Sequence, residues 1–258
     1  MTTLARSGAR RPLRRRETVF ALIMVLAGFL LYVLRLDVIP TVPRVSGEPV
    51  RWVETDRRWV ALTFDGGPNV TWTPVILRIL KTYGAEATFF PTGLGVVRHQ
   101  ALIRTIVAAG HEVGAAPYRP GRLDGPEAAL NREVWVASVR LEAVTGMRTA
   151  VFRPTSGGNT IRLVQAATAN GERLVLWDLD SHDTSGLPAA AIAARILRGL
   201  RRGAIIRFHE GPSAAEALGL LLPRLRQLGF RSVTVSQLLG GGTPEPTPGS
   251  SKAPPERL

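Results

Sequence analysis

The chain has no cysteine. That excludes disulfides, iron–sulfur clusters, thiolate zinc sites and thiol nucleophiles together. Histidine is nearly as scarce, with four in 258 residues, so an imidazole-rich metal centre has little to draw on. Aromatic residues make up 6% of the chain and do not interleave with a basic stripe, which leaves little for stacking on nucleic-acid bases. Acidic residues are few beside basic ones, 20 against 33, for a net charge of +13. There is no internal repeat and only one long uncharged stretch. What remains is ordinary: 45% hydrophobic and 21% charged residues describe a globular protein and exclude wholesale disorder.

The excess charge has two locations. Residues 1–17 hold six arginines (Arg6, Arg10, Arg11, Arg14, Arg15, Arg16) and one acid, Glu17, and Arg35 adds one more positive charge. Between them, Thr18 to Leu34 carries no charge over 17 residues, at the lower limit for a helix that crosses a bilayer. Tyr32 and the flanking arginines can extend its reach by snorkelling. A cleavable signal peptide is the competing reading, but no small-x-small cleavage site follows. A buried core helix is a third, and the six preceding arginines speak against it. We therefore read 1–17 as a cytoplasmic Arg-rich segment and 18–36 as a single-pass transmembrane anchor. The arginines orient it with the N-terminus in the cytoplasm, which places the rest outside the cytoplasm and makes nucleic acid a poor partner.

Residues 37–58, with Pro40, Pro43, Gly47 and Pro49, read as a stalk. Residues 240–258 hold four glycines and five prolines and read as a disordered tail. Between them, 59–239 carries the remaining +7 and forms the folded domain. Short apolar runs there alternate with segments of helical period. Strands are predicted at 59–64, 86–90, 112–114, 150–152, 173–177, 204–208 and 232–235. Helices are predicted at 73–83, 100–109, 126–144, 160–169, 188–200 and 214–228. This alternation predicts an α/β fold, a distorted (β/α) barrel with about seven parallel strands covered by helices. Runs such as V-A-L-T-F and A-I-I-R-F suit parallel strands buried on both faces.

Polar residues collect where strands end. Asp65 follows the first strand and Arg153 the fourth. Asp178, Asp180, His182 and Asp183 follow the fifth, and His209 and Glu210 the sixth. In a parallel barrel these converge on the one rim where active sites are built. Taken singly, each has a plainer reading. Asp65 in F-D-G-G-P-N can open a turn, Arg153 can be a surface residue, His209 a satisfied core histidine, and His182 and Glu210 loop residues. Together they supply a base, an anchor and an acid, which suits hydrolysis.

At these residues the sequence resembles the polysaccharide deacetylases, the NodB-type carbohydrate esterases, from about Val60 to Leu238. A-L-T-F-D-G-G-P-N at 61–69 resembles that family's T-F-D-D-G-P. A-T-F-F at 87–90, with Thr92-Gly93, resembles its second strand. A-A-G-H-E-V-G at 108–114 resembles the approach to its second motif, and Phe152-Arg153-Pro154 its third. W-D-L-D-S-H-D at 177–183 resembles D-x-x-D-W, and A-I-I-R-F-H-E-G at 204–211 resembles a motif ending in L-x-H-D-G. The resemblance implies a NodB homology domain over 59–239. It implies hydrolysis of N-acetyl groups of glycans, a C–N bond that is not a peptide bond. Asp65 would be the base, with Arg153 beside it. His209 would be the acid, with Asp183 beside it or, second in order, Asp180.

The divalent metal of that family, such as zinc, is held by Asp-His-His. The corresponding positions here are Gly66, Ala116 and Pro120, none with a side-chain ligand. The third motif also has Thr155-Ser156 in place of Pro-Tyr, and the fourth has Thr184 in place of Trp. A Lewis-acid metal supplies several kcal/mol of transition-state stabilisation, so its loss costs about three or more orders of magnitude in rate. No cofactor is therefore expected. A relocated metal site would have to use Asp65, His182, Asp183 or His209, since His111 precedes Glu112 in a structural setting. The expectation is a membrane-anchored, extracytoplasmic protein of cell-envelope glycan metabolism whose partner is peptidoglycan or another N-acetylated polysaccharide. The alternative is a catalytically inactive member that binds envelope glycan or a partner protein.

Overall fold

The computed structural model describes residues 48–118, 121, 123, 126–154, 161–240, 243 and 244, together with Met24. The chain separates into two units, Met1–Val45 and Ser46–Leu258, and every element below belongs to the second. Among the described residues no helix is long and apolar enough to cross a membrane. The expected anchor, apart from Met24, lies outside them, as do residues 1–17.

In chain order the elements are β1 (Val53–Glu54), β2 (Trp59–Asp65), α1 (Trp72–Tyr83), β3 (Ala87–Phe90), α2 (Gly93–Arg98), α3 (Gln100–Ala108), β4 (Glu112–Val113), α4 (Glu127–Thr145), β5 (Val151–Phe152), α5 (Ile161–Ala169), β6 (Arg173–Leu174), β7 (Leu179–Asp180), α6 (Ala189–Gly199), β8 (Ile205–His209), α7 (Pro212–Gln227), β9 (Arg231–Ser232), α8 (Val235–Gly240) and β10 (Thr243–Pro244). Helix α1 shows why they form where they do. Its Ile76, Leu77 and Leu80 recur on one face and are buried. Gly84 then ends it in the left-handed conformation, φ 60°, donating its N–H to the carbonyls of Leu80 and Lys81.

Strands run parallel in the order β4-β3-β2-β8-β7, and β9 pairs with the start of β2. The pair β5–β6 is also parallel. Ala115, just past β4, bridges Phe152 of β5, and β6 and β7 belong to one run, 173–180, whose far end pairs with β8. These pairings close a circuit, so the fold is a barrel-like parallel α/β structure. Side chains alternate across it. Val60, Leu62, Phe64, Ile206 and Phe208 face the helices in one apolar cluster. There Phe64 stacks on Phe89 at 4.9 Å and on Phe208 at 5.9 Å. Ala61 and Ile205 face inward with Phe90, Ala116, Val151 and Val175.

Three expectations change. The strand expected over 173–177 keeps only β6 and resumes as β7. Between them Asp178 accepts the Ile205 N–H (2.8 Å) and pairs with Arg201 (2.8 Å), which interrupts the ladder. The expected stalk is folded in its second half. Val50 bridges Val175, Trp52 bridges Ala204, and Val50, Trp52 and Val53 are buried, so the domain begins before Trp59. The expected disordered tail contributes β10, which pairs antiparallel with β1. Apart from Gly240, Thr243 and Pro244, the tail lies outside the described residues.

Candidate active site

Register sets the site. Asp65 ends β2 and His209 ends β8, and the two are partners across the sheet. One step back, Thr63 partners Arg207, and Arg207 also partners Asp180 of β7. In-register residues on parallel strands point to the same face. Thr63, Asp65, Asp180, Arg207 and His209 therefore share the inward face, above the apolar layer of Ala61 and Ile205.

Arg153, just after β5, enters from the opposite wall and is 1% exposed. Its Nη1 donates to Asp65 Oδ1 (2.9 Å) and to the Thr63 hydroxyl (2.6 Å). Its Nε and Nη2 donate to the carbonyls of Val175 (3.2 Å) and Leu176 (2.9 Å). The guanidinium lies 4.1 Å from the Phe90 ring centroid. Burial pulls its pKa below the ordinary arginine value, and the Asp65 carboxylate opposes that pull.

Asp183, in the turn after β7, holds His209. Its Oδ1 accepts from His209 Nδ1 (2.9 Å) and from the Ser181 hydroxyl (3.0 Å), and its Oδ2 accepts from the His209 backbone N–H (2.8 Å). Burial pushes the Asp183 carboxyl upward, but the hydrogen bonds from His209 and Ser181 hold the pKa below the ordinary value.

All four expected residues, Asp65, Arg153, Asp183 and His209, thus meet in two pairs, and the partner of His209 is Asp183. Asp180 turns instead to Arg207, at 3.2 Å. Asp178 goes to Arg201. His182, exposed and at φ 56°, gives its backbone N–H to Asp180. His111 packs its ring 5.7 Å from Phe89, away from these groups. Glu210 is half-buried over the loop that follows β2. It accepts from the Thr73 hydroxyl and the Asn69 N–H, and burial raises its pKa despite both bonds. A Cβ on Gly67 would lie 1.8 Å from its Oε1, so a side chain there would require the Glu210 carboxylate to move.

Arg207 was missed as a site residue. Its Nη2 lies 2.9 Å from His209 Nε2 and its Nε 3.0 Å from Asp65 Oδ2. The Nε–H is turned off that oxygen, so the two charges face each other without a hydrogen bond. The Trp177 ring covers the guanidinium, 4.1 Å from Cζ to centroid. A guanidinium only donates, so His209 Nε2 accepts and the ring proton lies on Nδ1, toward Asp183. The available signal was an arginine inside the run I-I-R-F, which reads as a buried strand.

The residues present do not fit a divalent metal. Gly66 offers no side chain. The Ala116 methyl is packed in the inward apolar cluster, and Pro120 lies outside the described residues. Asp65 faces guanidinium groups with both oxygens, and His209 is engaged at both ring nitrogens. Among the described residues no three His, Cys, Asp or Glu side chains are grouped closely enough to hold a metal ion.

A family model for polysaccharide deacetylase matches residues 53–175. The chain is 31% identical over 207 residues to a peptidoglycan-N-acetylglucosamine deacetylase of Bacillus cereus, spanning 74% of this chain and 92% of the relative. It is 31% identical over 198 residues to a chitooligosaccharide deacetylase of Bradyrhizobium sp., spanning 70% and 90%. Among solved structures, wild-type BA3943 of Bacillus anthracis, described as a CE4-family pseudoenzyme, matches with a TM-score of 0.72 at 25% identity, over 76% of this chain and 70% of that one. A BA3943 mutant described as having restored enzymatic activity matches with a TM-score of 0.72 at 26% identity, over 76% and 72%.

Proposed function

The chain belongs to the polysaccharide deacetylase family, and from that premise we propose that it binds N-acetylated envelope glycan, above all peptidoglycan, without metal-dependent hydrolysis of the N-acetyl C–N bond. It does so as a membrane-anchored, extracytoplasmic protein of cell-envelope glycan metabolism. The observation that carries this reading is the Arg207 guanidinium between Asp65 and His209. A base must have an oxygen free to take a proton from water, and an acid must present a proton to the leaving nitrogen. Here Asp65 faces arginine through both oxygens, and the Nε2 lone pair of His209 is taken. The rim still exposes polar groups, with His209 30% and Asp180 27% exposed at their side chains. The names of the relatives support an N-acetylated glycan as the ligand, and the likeness to a pseudoenzyme supports binding without turnover.

A second reading has its own support. Both family pairs are formed at 2.9 Å, and Asp65 Oδ2 is buried with no hydrogen bond. With Arg207 displaced, that oxygen could take a proton from water attacking the acetyl carbonyl and return it to the nitrogen as the C–N bond breaks, releasing the amine and acetic acid. This would be a slow, metal-free hydrolysis.

Binding is tested with the full-length protein in detergent, pelleted with peptidoglycan sacculi and titrated with tetra-N-acetylchitotetraose. Saturable binding unchanged by EDTA, and weakened about tenfold or more by His209→Ala, is expected. A folded protein that binds neither glycan, or that binds only without chelator, would overturn the proposal.

A further inference from the structure

Arg207 departs from its surroundings in two ways. It is the one charged residue in the first four positions of β8, I-I-R-F, where the motif L-x-H-D-G that this strand resembles has leucine. Its guanidinium also meets three groups of the kind that bind metals, each through a different nitrogen. These are Asp65 Oδ2 at 3.0 Å from Nε, Asp180 Oδ2 at 3.2 Å from Nη1, and His209 Nε2 at 2.9 Å from Nη2. The strand register that places Thr63, Asp65, Asp180 and His209 on one face holds these three groups around it, and Trp177 closes one side.

Charge follows the same geometry. Three carboxylates, Asp65, Asp180 and Asp183, and two guanidinium groups, Arg153 and Arg207, gather with a neutral imidazole, which leaves one negative charge. Without Arg207 the deficit would be two, the charge of a divalent cation. With Arg207 in place an added divalent ion would leave the site positive and lie against two guanidinium groups in a region of low dielectric, where like charges repel strongly.

We propose that the Arg207 guanidinium is the resident cation of this site, a tethered charge that holds apart two carboxylates and an imidazole, which stand too far from one another to share an ion around it and would draw together on a divalent metal without it. A tethered cation is neither captured from solution nor removed by chelators. The site is therefore assembled in the absence of metal, and Arg207 acts as a positioning residue for Asp65, Asp180 and His209. This goes beyond the glycan reading and does not depend on it.

The test is thermal unfolding of the full-length protein in detergent, as wild type, Arg207→Leu and Arg207→Gln, each with EDTA, Zn²⁺ or Co²⁺. Wild type is expected to shift by no more than about 1 °C among these conditions. Arg207→Leu is expected to unfold lower than wild type in EDTA and to recover by about 5 °C or more at roughly 100-fold excess of cation over its Kd. It is also expected to show Co²⁺ d–d absorption that wild type lacks and that Asp180→Asn removes from the double variant. Should Arg207→Leu fold only in metal-supplemented medium, that is the same result in stronger form. Should it not fold at all, Arg207→Gln carries both readouts. The proposal is overturned if wild type gains as much from zinc as the variants do, or if neither variant responds to either cation. Glycan binding is measured separately, so failure of one proposal is distinguishable from failure of the other.

Discussion

Asp183 shows how one residue can hold the site and mark its pH range. Its carboxylate accepts three hydrogen bonds, two of them from His209, and they hold its pKa below the ordinary value although burial pushes it up. A carboxyl whose pKa is lower folded than unfolded contributes stability above the unfolded pKa, about 3.9, and loses it as pH falls through the folded one. Urea unfolding followed from pH 7 to pH 2.5 should therefore show wild type losing stability steeply below about pH 4. Asp183→Asn should be less stable by about 1–3 kcal/mol at pH 7 and depend less on pH in that acid range. Equal slopes for both proteins would contradict this assignment. At this scale Asp65, Arg153 and His209 were legible because each is polar directly after an apolar run, and Asp183 because W-D-L-D-S-H-D at 177–183 resembles a family motif. Arg207 was not, because it stands inside an apolar run, and hydrophobic patterning averages a lone charge away. Only strand register reveals that it points inward beside Asp65 and His209.

Elements were legible where the period is long and clean. Helices α1, α3, α4, α6 and α7 match the expected segments within about two residues, a normal uncertainty of helix ends. The failures have local causes. The run S-V-T-V at 232–235 reads as a strand, yet α8 begins at Val235. The Thr234 N–H donates to Gln237 Oε1 (3.0 Å) and the Gln237 N–H to Thr234 Oγ1 (3.1 Å), a capping box that overrides β-propensity. Thr234→Ala should cost about 1 kcal/mol in urea unfolding, and a change within about 0.3 kcal/mol would show that the cap does not hold the helix. Strand β1 was hidden by the Pro- and Gly-containing stretch before it. It pairs with β10, and Val50 and Trp52 just before it bridge Val175 and Ala204, long-range partners that no local pattern encodes.

The whole molecule joins a closed circuit of parallel strands to a rim of polar residues, and the proposed function divides the +13 charge between two tasks. The arginines of 1–17 and Arg35 suit topology, and the +7 of 59–239 suits an acidic envelope polymer. If the orientation is as proposed, protease added to intact spheroplasts should digest the domain and spare an N-terminal tag. Protection of the domain would reverse it. The central claim is that a guanidinium, not a metal, organises the rim, so that the protein holds N-acetylated glycan without metal-dependent turnover. The most direct measurement is acetate release from peptidoglycan and chito-oligosaccharides by the full-length protein, with Zn²⁺ or Co²⁺ and with EDTA. The account predicts no release that depends on metal, and any slow release should be equal in EDTA and lost in Asp65→Asn. Release that zinc or cobalt induces and EDTA abolishes would contradict it.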